Sequence, residues 1–209
     1  MKDVATAGRK VWNDELGKIQ VDGGTQNDKF VFYTSLYRCL ERPVNISEDG
    51  QYFSVYNNKV HEDGGYDYYT DDWIWDSYRA AHPLRVLTDQ KRQTDIIRSF
   101  LRMSEHSSNH WFPNFPEVTG DSRRMNCNHG VAIIADAWYK GLRDFDLQKA
   151  YAYTKAGIEE KTLAPWSSAK SGWIDKFYKE KGYIPSLLIG EKETVPVSYT
   201  HLRAHETKA

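Results

Sequence analysis

Apolar positions recur at helical intervals along most of the chain. In "VATAGRKVWNDELGKI", Trp12, Leu16 and Ile19 fall at i, i+4 and i+7. In "NDKFVFYTSLYRCLERP", Phe30, Tyr33, Tyr37 and Leu40 form a second stripe, and Pro43 lies just beyond its end. "TDD" reads as an N-cap run for a helix that begins near Trp73. Ile97, Phe100 and Leu101 line a further helix within "TDQKRQTDIIRSFLRMSEH". "GVAIIADAWYKGL" aligns Val131, Ile134, Ala135 and the core residue Trp138, with Gly141 at its C-terminus. "FDLQKAYAYTKAGIEEKT" and "SGWIDKFYKEKGYIP" add two more helices. Between them, "NISEDGQYFSVYNN" reads as a turn and a short strand, and "DGGYDYYT" as a Gly-rich loop. "HWFPNFPEVTGDSRRMNCNHG" lacks periodicity and is a long loop of the kind that often carries function. The pattern predicts a mainly α fold: six or seven helices whose aromatic connections, with short strand or hairpin insertions, build a site at one end.

Composition narrows the function. Charged residues make up 27% of the 209 and the net charge is −1, so no polyanion or anionic membrane is expected as partner. No apolar run approaches the roughly 20 residues that span a bilayer, and "MKDVATAGRKVW" lacks the apolar stretch of a signal peptide. Two cysteines, Cys39 and Cys127, make neither a disulfide framework nor a cysteine metal site. The aromatic load, 7 Trp, 14 Tyr and 8 Phe, sits largely in polar, turn-rich sequence, which suits flat, half-polar ligands such as sugars. The last stretch is of another kind. "VSYTHLRAHET" back-translates without interruption to a transposase adapter of sequencing libraries. Val197–Ala209 is therefore expected to be a non-native tail, and residues 1–196 the natural part, cut off near Pro196. His201, His205 and Glu206 are set aside with it.

The chemistry concentrates in "YYTDDWIWDSYRAAHPL", Tyr68 to Leu84. On a helix from Trp73, Asp72 and Asp76 are i, i+4, Asp76 and Arg79 are i, i+3, and Trp75 and Arg79 are i, i+4. One face would then carry two carboxylates, a guanidinium and an indole. Such a face can bind a sugar, with carboxylates accepting bonds from vicinal hydroxyls and an aromatic covering the apolar side of the ring. It can equally be an Asp76–Arg79 pair with aspartates favourably placed at a helix N-terminus. Elsewhere, Glu117 and Asp121 could pair as acid and base, though loop carboxylates are usually solvated. Asn128 and His129 suit a helix cap or a reach into a pocket. His106 and His110 stand four apart without a third metal ligand.

"FYTSLYR", "YYTDDWIWDSYRAAHPL" and "MNCNHGVAIIADAWYKGL" together resemble glycoside hydrolase family 92, the exo-acting α-mannosidases, over roughly Trp12 to Pro196. The family's Trp-Asp-Thr-Tyr-Arg motif reads here as Trp75, Asp76, Ser77, Tyr78 and Arg79. The resemblance implies the first several helices of an (α/α)6 toroid that follows a β-sandwich in the complete protein. It implies calcium-dependent hydrolysis with inversion of terminal α-linked mannose, α-1,2 in the first instance, from mannose-containing glycans. A periplasmic or secreted location goes with it. Trp75 and Asp76 would form the non-reducing-end subsite, with Arg79 supporting Asp76. The family's acid, in an Asn-Glu-Pro-Ser motif, and its base, in an acidic Gly-Asp loop, have no counterpart here. No catalytic residue and no metal ligand is therefore expected in this chain, and the calcium ligands would lie mostly outside it. A non-catalytic carbohydrate-binding helical module is the alternative, and a trehalase- or glucoamylase-like toroid would not account for the "WDSYR…HPL" run.

Overall fold

In the computed structural model, residues 2–125, 128–162 and 172–183 are described. Cys127 and the adapter-like tail lie outside them. Eight helices and six short strands follow one another among these residues: α1 (Lys2–Leu16), α2 (Gln26–Leu40), β1 (Val44–Asn45), β2 (Gln51–Ser54), β3 (Lys59–Glu62), β4 (Tyr69–Thr70), α3 (Ile74–Ser77), α4 (Ala81–Thr88), α5 (Gln90–His106), β5 (Pro116–Glu117), β6 (Gly120–Asp121), α6 (Gly130–Tyr139), α7 (Leu147–Glu160) and α8 (Trp173–Lys181). The strands pair only as three antiparallel two-stranded ribbons, β1 with β4, β2 with β3 and β5 with β6. The fold is mainly helical, as the periodicity predicts.

The centre of the molecule is α5. Asp89 caps it, its carboxylate accepting the Arg92 N–H at 3.1 Å. Its predicted stripe of Ile97, Phe100 and Leu101 is buried, together with Ile96 and Met103. Side chains buried to this degree contribute about 1.5–3 kcal/mol each. Helices α4 and α7 pack on α5, and α6 packs on both α4 and α7. Gly141, at a φ of 100°, ends α6 where the sequence places it.

The inward face differs in two helices. In α6, Ile133, Ile134 and Ala137 are buried, whereas Val131 is 40% exposed and Ala135 also faces solvent. Trp138 is half-buried at the edge of the core, not within it, with the Arg143 guanidinium 4.0 Å above its ring. The whole segment is apolar, so composition could not say which side would meet α4 and α7. In α2, Phe32, Tyr33 and Leu36 turn inward, whereas Phe30 is 64% exposed. Tyr37 leans on Trp12 of α1 at 4.6 Å between rings. The first helix ends at Leu16 and leaves Ile19 in the following turn. Neither α1 nor α2 buries a residue. Polar bonds hold this pair to the rest. Arg85 of α4 donates to the carbonyls of Cys39 (2.7 Å) and Arg42, and Lys18 and Glu15 reach Asp89 (2.8 Å) and Arg92 (3.2 Å).

The continuous helix expected from Trp73 is broken. It makes one turn, α3, then a bend through Tyr78–Ala80, then α4. Pro83 supplies the reason. Inside one long helix it would lack the N–H needed to reach the Arg79 carbonyl and would clash with it. In the first turn of α4 its missing donor has no partner to lose.

Candidate functional site

The short α3 presents the candidate residues at the surface. Asp71 enters it in the left-handed region (φ 63°) and pairs with Arg42 at 3.4 Å. Ile74 plugs the turn into the core. Above that plug, Trp75 is half-buried and Asp76 and Arg79 are exposed. With the helix ending at Ser77, Asp76 and Arg79 no longer share a helical face. Among the described residues no ion pair joins them. Arg79 Nε instead donates to the Tyr78 hydroxyl at 3.0 Å. The Asp76 carboxylate thus remains open to solvent.

Asp72 behaves quite differently from Asp76. It neither caps α3 nor faces outward: it is 1% exposed, and its Oδ2 lies 2.8 Å from His82 Nε2. Burial pushes its carboxyl up, but the charges and bonds of His82 and Arg85 outweigh this and leave it below the usual carboxylate range. The platform therefore carries one carboxylate, not two.

His129 joins the platform. As first residue before α6 it makes no side-chain capping bond. Its ring stands edge-on to Trp75 at 5.2 Å and lies 4.0 Å from the Tyr78 ring. Burial, with help from the nearby Arg79 charge, holds its imidazole below the ordinary histidine value and hence neutral. The signal that could have found it is the Asn-His run just ahead of an apolar helix.

The other candidates separate. The Asp121 carboxylate accepts the backbone N–H groups of Asn114 (3.0 Å), Phe115 (2.8 Å) and Arg123 (3.2 Å), which folds the loop around it. Glu117 is held by Arg124 at 3.1 Å. Both carboxylates are therefore tied into the β5–β6 ribbon. His106 bonds Ser54 at 3.0 Å and stacks on His61 at 4.1 Å, while His110 bonds the Ser104 carbonyl at 3.1 Å. A second aromatic lies beside the platform: Trp73 is 37% exposed, with the guanidiniums of Arg42 and Arg124 at 4.5 and 5.7 Å from its ring.

Comparison with known proteins gives this geometry a context. A model of the glycosyl hydrolase family 92 catalytic domain matches residues 1–204, past Pro196 into the segment set aside above. Among solved structures, the chain is similar to the family GH92 alpha-mannosidase BT3965 from Bacteroides thetaiotaomicron. They share 27% identity at a TM-score of 0.75, over 88% of this chain and 24% of that one. It is similar to the inverting mannosidase BT2199 of the same organism at 28% identity and a TM-score of 0.75, over 88% and 25%. The first of these has also been solved in complex with mannoimidazole. The chain thus spans about a quarter of the length of these relatives. No curated protein sequence matches it.

Proposed function

The chain belongs to glycosyl hydrolase family 92, and from that premise we propose that it forms part of an exo-acting enzyme that removes terminal α-linked mannose from glycans. One arrangement supports the reading: an open carboxylate, Asp76, beside a half-buried indole, Trp75, on the short α3, with the exposed guanidinium of Arg79 on the bend that follows. Asp76 accepts bonds from two adjacent hydroxyls of the terminal sugar. Trp75 covers the apolar side of the ring. Arg79, engaged through Nε by Tyr78, keeps its terminal nitrogens for the sugar or for Asp76. Charge-assisted bonds of this kind are directional and about twice as strong as neutral ones, which suits the choice of one sugar over its epimers.

In this reading the acid and base of the inverting reaction come from other parts of the complete enzyme. They would stand about 6.5–9.5 Å apart across the scissile bond. An α-1,2 linkage preference and a periplasmic or secreted location follow from the family resemblance, as does calcium dependence. A calcium ion takes six to eight oxygen ligands. Among the described residues no three acidic or histidine side chains gather to begin such a set. The residues described here do not fit that ion, and the role proposed for them is sugar recognition. The toroid is likewise proposed: α1 to α8 would be its first helices.

The test is hydrolysis of a terminal α-1,2-mannoside by the complete enzyme, with the anomer of the released mannose read by NMR. Release of β-mannose that slows steeply in Asp76→Ala is the expected result. Near-normal hydrolysis by that variant removes Asp76 from the site. Mannose binding without hydrolysis by the complete protein turns the assignment to a carbohydrate-binding module.

A further inference from the structure

Beneath the exposed turn lies a polar chain that sugar recognition does not itself use. Asp72 Oδ2 is 2.8 Å from His82 Nε2, and His82 Nδ1 is about 3 Å from the Gln93 side-chain amide (3.0 Å to its nitrogen). Asp72 and His82 are each 1% exposed and Gln93 is 0% exposed. These residues sit just before α3, in α4 and in α5, so the chain crosses three elements in one line. The backbone N–H of Asp72 adds a fourth by donating to the Pro116 carbonyl of β5 at 2.9 Å. Ser77 closes the far end of α3. Its hydroxyl bonds back to the Trp73 carbonyl at 3.2 Å, within the turn itself. One buried carboxylate therefore anchors the entry to the four-residue turn that displays Trp75 and Asp76.

A buried polar pair is a weak source of stability, because desolvation offsets most of its attraction, and apolar replacements of equal volume often do as well. Its bonds are directional, however, and fix angles that apolar contacts leave loose. A one-turn helix has too few internal hydrogen bonds to hold its own shape. Asp72 meets one ring nitrogen of His82 and the Gln93 amide meets the other, so the ring is held from both sides.

We propose that Asp72, His82 and Gln93 are positioning residues that set the attitude of α3, and through it the placement of Trp75 and Asp76 against the terminal sugar. The proposal rests on the mannosidase reading only for the ligand.

Two measurements test it. In the complete enzyme, Asp72→Asn and Gln93→Met, the second of which keeps the volume and removes the bond, lower kcat/KM on a terminal α-mannoside by roughly 100-fold, the scale of a misplacement near 1 Å, mainly through kcat. Cooperative thermal unfolding is monitored in each. The second measurement needs no sugar. In the 209-residue chain labelled with fluorotryptophan, the Trp75 fluorine resonance is assigned by its loss in Trp75→Phe. It shifts and broadens in Gln93→Met. Should Asp72→Asn fail to fold, Gln93→Met carries the comparison alone. An unmoved Trp75 resonance in a folded Gln93→Met overturns the proposal, as does parental kcat/KM in that variant. A complete enzyme that neither cleaves nor binds the mannoside overturns the proposed function instead, and the fluorine comparison still decides the positioning.

Discussion

Asp72 and Asp76 are the same residue type one helical turn apart, yet one is sealed in the core and the other open to water. Spacing makes them equivalent, and the presence of His82 beneath only one of them separates their roles. Asp76→Ala in the complete enzyme is expected to lower kcat/KM by roughly 10- to 150-fold, the cost of losing bonds to a charged acceptor. The fold should be kept, because that side chain packs against nothing essential. Gly130 gives the opposite case. A Cβ there would stand 2.3 Å from the ring of Phe112, which is itself 5% exposed and cannot withdraw. Gly130→Ala should destabilise the protein by about 1–3 kcal/mol, read as a lower unfolding midpoint. It should also tilt His129, the preceding residue, away from Trp75.

Among the elements, the β2–β3 ribbon has its own anchor. Tyr52 stacks on Tyr68 at 3.9 Å, and His61 of the ribbon stacks on His106 of α5 at 4.1 Å. Burial lowers the His106 imidazole below its ordinary value, with the His61 and Arg102 charges adding to this and Glu105 opposing. The unfolded chain therefore takes up that proton first. Stability from this stack is complete above about pH 6.5 and falls as the pH drops toward the folded value. Hydrogen exchange corrected for intrinsic rates should show ribbon amides losing protection as the pH falls below about 6.5, with the amides of Ile97 and Phe100 unaffected. His106→Phe should remove the step. The existence of β2 is legible in alternating "QYFS", but its partner β3 is not, since "KVHE" is short and polar and gains strand character only by pairing. The break between α3 and α4 was written in Pro83; the helical spacing of the surrounding charges concealed it.

Across the whole molecule, apolar surface is uneven. Val4 is 75% exposed, Val11 61%, Phe30 64% and Val31 59%, all on the α1–α2 pair, while α5 is packed on every apolar side chain. Several large apolar side chains left exposed on one helix pair suit a face that another body covers. In the proposed toroid that body is the rest of the enzyme. Alone, the 209-residue chain should self-associate with rising concentration and bind a hydrophobic dye. Replacing Val11, Phe30 and Val31 with glutamate should suppress both in sedimentation velocity and dye titration, without moving the unfolding midpoint by more than a few degrees.

By itself the sequence determined the mainly helical class, the stripe of α5, the end of α6 at Gly141, and the family, through motifs whose side chains are read without knowing their partners. Local periodicity and capping suffice for these, because they depend on neighbours within one or two turns. Tertiary structure decided the rest: which face of α2 and α6 turns inward, that Asp72 is buried while Asp76 is open, and that His129 lies between Trp75 and Tyr78. Each of these depends on contacts between residues ten to 54 positions apart, from Asp72–His82 to Trp75–His129. An all-apolar helix or a crowded aromatic-acidic turn has no preferred inner side until another element packs against it.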